Sequence, residues 1–141
     1  MRILVLCTHN ARRSQLAQAL LRWLLPAHCS VESAGTEPAA QVDPHVIEVL
    51  REIGAPTDGL FPKSVERFVQ EHFDLVLTVC DGAREHCPAF PNAVRLLHWS
   101  LPDPALGSEL PEERLQRFRE VRDELLHRIR TELLPLLEGA V

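Results

Sequence analysis

The chain has 141 residues, 45% of them hydrophobic and 25% charged, with a formal net charge of −5. That is a natural size for one domain with one core, in the composition range of soluble globular proteins. The acidic balance excludes general affinity for nucleic acid or an anionic membrane surface, so any anion site must gather its positive charge locally.

The opening run Met1-Arg2-Ile3-Leu4-Val5-Leu6 is apolar but far too short for a secretory signal or a membrane span, and Arg22 interrupts the longest later apolar run. A cytoplasmic location is expected, where cysteines are catalytic, metal-binding or inert more often than structural staples. Arg2–Leu6 reads as a buried parallel strand. From Ser14 to Leu25, the residues Leu16, Leu20, Trp23 and Leu24 share one helical face. Ser30–Ala34 is a second strand, closed by Gly35. Asp43 offers an N-cap with Pro44 at the first helical position, Val46, Val49, Leu50 and Ile53 follow at helical spacing, and Gly54 ends that helix. A short helix starts at Ser64 and holds Val65 and Phe68. Phe73–Val79 is the clearest strand and Ala93–Leu97 a fourth. The last helix starts near Pro111 and carries Leu115, Phe118, Val121, Leu125, Ile129 and Leu133, with Pro135 expected to end or kink it. This alternation predicts a single α/β domain over residues 1–141, a four-stranded open parallel sheet with helices on both faces. In such sheets ligands bind beyond the carboxyl ends of the strands. Cys7, Cys80 and Asp103 each follow a strand.

The segment Cys7-Thr8-His9-Asn10-Ala11-Arg12-Arg13-Ser14 joins the first strand to the first helix. A cysteine and an arginine at this spacing mean little alone. Between a strand end and a helix start, however, successive backbone N–H groups can form an anion cradle over Thr8–Ser14. Arg13 can add a bidentate fork and the helix N-terminus partial positive charge. The same field, with the Ser14 hydroxyl, would make Cys7 an anionic nucleophile. Lowering a thiol pKa from about 8.5 to about 6 takes roughly 3.4 kcal/mol.

The run Cys-Thr-x-Asn-x-x-Arg-Ser at the end of the first strand resembles the low-molecular-weight protein tyrosine phosphatases and the thioredoxin-coupled arsenate reductases that share their fold. The likeness extends over nearly the whole chain. Val31-Glu32-Ser33-Ala34-Gly35-Thr36 resembles the family's second strand, and Asp103-Pro104 its general-acid motif, followed by Phe118–Asp123 in the closing helix. Two loop positions depart from the pattern. His9 stands where glycine is common, and histidine tolerates positive φ better than most residues. Arg12 stands where a second cysteine is common and reads as a solvated surface arginine.

The further pair Cys80 and Cys87 discriminates between the two activities. By spacing alone, a zinc site or two inert thiols stay open, although Cys-x6-Cys is not a usual zinc spacing and no metal is expected. The resemblance to the arsenate reductases is specific here: a cysteine after the third strand, another seven residues on, then Pro88. It implies a relay. Cys7 attacks arsenate as Asp103 protonates the departing water, and Cys80 attacks Cys7 to release arsenite. Cys87 then takes over Cys80 as a Cys80–Cys87 disulfide that thioredoxin reduces. Phosphate and sulfate are the expected analogues of arsenate. The alternative is a phosphatase acting on phosphate monoesters through the same loop. No tyrosine follows Asp103-Pro104, unlike in many such phosphatases. Asn10 and Ser33 match positions that support a monovalent cation in some members, but Gln18 stands where those carry glutamate. No cofactor is expected to be required, a monovalent cation stays open on that resemblance, and Asn10 reads as a loop brace. Cys29 matches no motif. No partner beyond thioredoxin is expected, and a monomer suffices.

Overall fold

The computed structural model describes residues 1–106 and 110–138, so the expected domain of 1–141 reaches beyond the described residues at 107–109 and 139–141. Four strands run parallel: β1 (Arg2–Cys7), β2 (Ser30–Gly35), β3 (Phe73–Thr78) and β4 (Ala93–His98). Their order in the sheet is β2-β1-β3-β4. The crossovers are α1 (Arg13–Leu24) from β1 to β2, α2 (Pro44–Glu52) and a 3-10 turn (Val65–Arg67) from β2 to β3, and α3 (Asp81–His86) from β3 to β4. The chain closes with α4 (Pro111–Arg128), a π-helical turn (Ile129–Leu133) and α5 (Leu134–Glu138).

The crossovers through α1 and α3 leave the sheet centre in opposite directions, so their common right-handedness puts α1 and α3 on opposite faces. α1, α2 and α4 pack on one another. β1 is buried from Ile3 to Cys7, as a central strand covered on both faces must be. β4 is an edge, with Val94 and Leu96 about 70% exposed. The core of Leu4, Leu6, Leu16, Leu20, Leu50, Phe73, Leu77, Phe118 and Leu125 lies between sheet and helices. No described helix is long and apolar enough to cross a membrane.

The N-cap at Asp43 forms as expected, its side chain accepting the His45 N–H, and the short helix expected from Ser64 is the 3-10 turn, capped by the Ser64 hydroxyl, which accepts the Glu66 N–H. One expectation is corrected: Trp23 is exposed, because the core stripe of α1 turns through Leu21 to Leu25 instead. Of the two outcomes expected at Pro135, the helix is distorted rather than ended. Without an N–H, and with a ring that crowds the carbonyl four residues back, proline does not fit an α-helical interior. The helix widens before it into the π turn, where the Leu134 N–H reaches Ile129 O, and then resumes as α5.

Between β1 and β3 the chain departs in opposite directions, which opens a crevice beyond their carboxyl ends. Leu6 pairs with Thr78, and the Val79 N–H continues the ladder onto Leu6 O at 2.9 Å. This register sets Cys7 beside Cys80.

Candidate active site

The segment from Cys7 to Arg12 is clamped from outside by the chain that follows β2. Thr36, Glu37, Ala39 and Asp43 donate their N–H groups to the carbonyls of Cys7, Thr8, His9 and Ala11 at 2.8–3.4 Å. Turning these carbonyls outward turns the loop's N–H groups toward its inside. Gly35 permits the contact, since a Cβ there would come within 2.7 Å of the Thr8 carbonyl oxygen. The left-handed residue of the loop is Asn10, at φ 52°, rather than His9. His9 is exposed, and its ring Nδ1 lies 3.0 Å from the Glu37 carbonyl.

Asn10 braces the loop as expected. Its Nδ2 donates to Ser14 Oγ at 2.6 Å and to Ser33 Oγ at 2.9 Å, and its Oδ1 accepts the Lys63 N–H at 2.9 Å. Ser33 in turn donates to Gln18 Oε1. Gln15 Nε2 donates to Asn10 O at 2.8 Å, and the buried side-chain atoms of this network without a hydrogen-bond partner among the described residues are Gln15 Oε1 and Gln18 Nε2.

Arg13 opens α1 with its side chain 14% exposed. Its Nη1 donates to Leu101 O at 2.9 Å, and its Nη2 lies 4.0 Å from Asp103 Oδ2. Its Nε is buried and has no hydrogen-bond partner among the described residues. Arg12 is not a solvated surface arginine. Its Nε donates to Asp43 Oδ2 at 3.0 Å and its Nη1 lies 3.9 Å from Asp103 Oδ2. Asp103 is tied into its own turn, where Oδ1 accepts the Ala105 N–H at 2.9 Å. Cys7, Arg13, Ser14, Cys80 and Asp103 thus converge beyond the strand ends.

Cys7 and Cys80 are buried free thiols at neighbouring strand ends. Cys80 and burial push the Cys7 thiol up, against the pull of Arg13 and the Thr8 backbone. Cys80 is held below the ordinary thiol range by Cys7, then by the Thr8 hydroxyl at 3.3 Å and the Ala83 N–H at 3.4 Å. Cys87 is not brought to this pair. It lies at the far end of α3, half-buried, in a cavity of about 220 Å³ lined with Val76, Arg84, Leu96 and His98. Burial raises its thiol.

Three contributors have no strong signal in the sequence. Asp43 is legible only as an N-cap, and its pairing with Arg12 spans 31 residues. His98 bridges Thr78 Oγ1 at 2.6 Å and Asp81 Oδ1 at 2.9 Å, pinning the start of α3 to the strand ends. Gly82 lets α3 approach Thr8, whose hydroxyl would lie 2.8 Å from a Cβ there.

Comparison with known proteins agrees with this geometry. An arsenate reductase of Halalkalibacterium halodurans is 36% identical over 129 residues, covering 92% of each chain. A solved arsenate reductase in the phosphate-binding state superposes with a TM-score of 0.76 at 25% identity, over 92% of this chain and 93% of that one. A thioredoxin-dependent arsenate reductase of Corynebacterium glutamicum gives a TM-score of 0.63 at 32% identity, over 92% of this chain and 61% of that one. Residues 2–138 match the low molecular weight phosphotyrosine protein phosphatases throughout the anion loop, the sheet and the closing helices, and the chain belongs to that family.

Proposed function

We propose that this chain reduces arsenate to arsenite at Cys7, passes the oxidation to Cys80 and then Cys87, and is restored by thioredoxin. The observation that carries this reading is a second buried thiol, Cys80, beside Cys7 at the base of the anion loop, with the Thr8 hydroxyl 3.3 Å from its sulfur. Hydrolysis needs one thiolate, whereas two-electron reduction needs a second thiol within reach of the first.

Arsenate binds on the loop N–H groups of Thr8–Ser14 with Arg13 as the fork. The Cys7 thiolate, favoured by Arg13 and the Thr8 backbone, attacks arsenic. One arsenate oxygen leaves as water with a proton from Asp103, giving a Cys7–arsenic(V) bond. Cys80 then releases its proton to water and attacks Cys7 Sγ as a thiolate. The sulfur–sulfur bond forms, the sulfur–arsenic bond breaks, and its electron pair leaves with arsenic as arsenite. Cys87 attacks Cys80, which frees Cys7 as a thiolate, and the resulting Cys80–Cys87 disulfide is reduced by exchange with a dithiol. Ser14 Oγ accepts from Asn10 and so keeps its own O–H to donate toward the loop. One chain carries every group required, so a monomer suffices. The dependence on reduced thioredoxin suits a cytoplasmic setting.

A second reading, hydrolysis of phosphate monoesters, uses the same loop with Cys7, Arg13 and Asp103 alone. It is supported by the family description over residues 2–138. The test runs arsenite formation with thioredoxin and its reductase beside hydrolysis of an aryl phosphate. Cys7→Ser abolishes both. Cys87→Ser stops arsenate reduction after about one equivalent and spares hydrolysis. Sustained reduction by Cys87→Ser with thioredoxin as the sole reductant would show the relay to be wrong.

A further inference from the structure

We infer that Arg12 is a positioning residue that clamps the general-acid loop over the anion site by bridging Asp43 and Asp103. The inference rests on the role proposed for Asp103. Asp103 Oδ1 is taken by the Ala105 N–H, so Oδ2 is the oxygen left to face the loop. Two guanidiniums flank Oδ2, Arg12 Nη1 at 3.9 Å and Arg13 Nη2 at 4.0 Å. Their anchors differ. Arg13 is held by the Leu101 carbonyl, which belongs to the acid loop itself, and is assigned to the anion. Arg12 is held by Asp43, outside that loop, through its Nε at 3.0 Å.

Asp43 is a firm anchor. Its backbone N–H donates to Ala11 O at 3.0 Å, and its Oδ1 accepts the His45 N–H at 2.9 Å as the cap of α2. The His45 ring lies 2.8 Å from the same oxygen and stacks on Phe118 of α4 at 5.0 Å. The Asp43 side chain is 12% exposed, and that of Asp103 is 18% exposed. A partly buried carboxylate fixed on two sides holds the arginine, and the arginine's other nitrogen faces the acid. The clamp therefore ties the loop after β4 to the start of α2, two elements that no strand pairing connects. Its expected effect is on the chemical step, because Arg12 reaches the acid and not the anion.

The experiment measures arsenate reduction with thioredoxin and its reductase for Arg12→Gln, Arg12→Lys, Asp103→Asn and the Arg12→Gln/Asp103→Asn double variant. Arg12→Gln is expected to lower kcat about tenfold while KM for arsenate stays within about twofold, with Arg12→Lys recovering most of the loss. The double variant is expected to be no slower than Asp103→Asn, since the clamp has nothing left to position. Asp43→Asn keeps a capping oxygen but removes the charge, and should reproduce the kcat loss from the other side. A raised KM with kcat intact would make Arg12 an anion ligand and overturn the inference, as would additive losses in the double variant. An Asp103→Asn enzyme as fast as the parent would remove the general-acid assignment and the clamp with it. That failure is visible in the single variant and distinct from a failure of Arg12.

Discussion

A Cβ on Gly82 would lie 2.8 Å from the Thr8 hydroxyl, a distance real Cβ contacts essentially never show. That hydroxyl is one of the groups that hold Cys80 ready to ionise. Gly82→Ala must therefore either rotate the Thr8 hydroxyl off Cys80 or lift the first turn of α3. Formation of the Cys7–Cys80 disulfide in a single turnover, followed by mass, is expected to slow about tenfold, in line with the loss of one hydrogen bond to a charged sulfur. An unchanged rate would mean that Thr8 does not assist Cys80. In the sequence Gly82 reads only as a weak helix former, because its close approach to Thr8 exists only once β1 and β3 pair. Cys7, Cys80 and Asp103 were legible for the opposite reason: each lies at or after a strand end, and the fold rule gathers strand ends. The groups that lower Cys80 were not legible, since Cys7, Thr8 and Ala83 come together around it only in the fold.

The element that has to move is α3. It spans Asp81–His86 and buries only Ala83. A helix between Cys80 and Cys87 keeps their Cα atoms roughly 10 Å apart, and a disulfide needs them closer than about 7 Å. Oxidation to Cys80–Cys87 is thus expected to unwind α3. In hydrogen exchange, residues Asp81–His86 should lose protection on oxidation while β1 and β3 keep theirs. Unchanged protection in α3, with the disulfide confirmed by mass, would exclude the movement. The His98 bridge to Thr78 and Asp81 holds the Cys80 end, so unwinding should run back from Cys87. Caps and periodicity revealed most elements: Asp43 before Pro44, Ser64 before Val65, and the apolar strands from Arg2 and Phe73. The π turn before Pro135 was hidden, because proline announces that the α-helical pattern fails but not how the chain absorbs the failure.

At the scale of the molecule, carboxylates held below their ordinary range join distant parts. Salt bridges to Arg119 and Arg122 of α4 lower Glu52 of α2, and the backbone N–H of Arg2 lowers Asp74. Asp43, between α1 and α2, is lowered against its own burial by hydrogen bonds from His45 and then Arg12. A carboxylate whose folded pKa lies below its unfolded value stabilises the fold above that unfolded value, about 4, and loses the contribution as pH falls through the folded one. The urea midpoint should hold steady from neutral pH down to about 5 and fall steeply below about 4. Glu52→Gln should lower the neutral midpoint and flatten the acid limb, and an acid limb as steep as the parent's would remove Glu52 from the account.

The strand order β2-β1-β3-β4 has one more consequence. The groups proposed to bind the anion ride on β1 and the start of α1, and the proposed proton donor on the loop after β4. The second and third thiols occupy the single crossover between β3 and β4. Hydrolytic and electron-transferring parts thus map to separate stretches of chain that meet only in space. Evolution, or an engineer, can exchange Cys80–Cys87 as one cassette and change what becomes of the bound oxyanion, provided residue 82 keeps its clearance from Thr8.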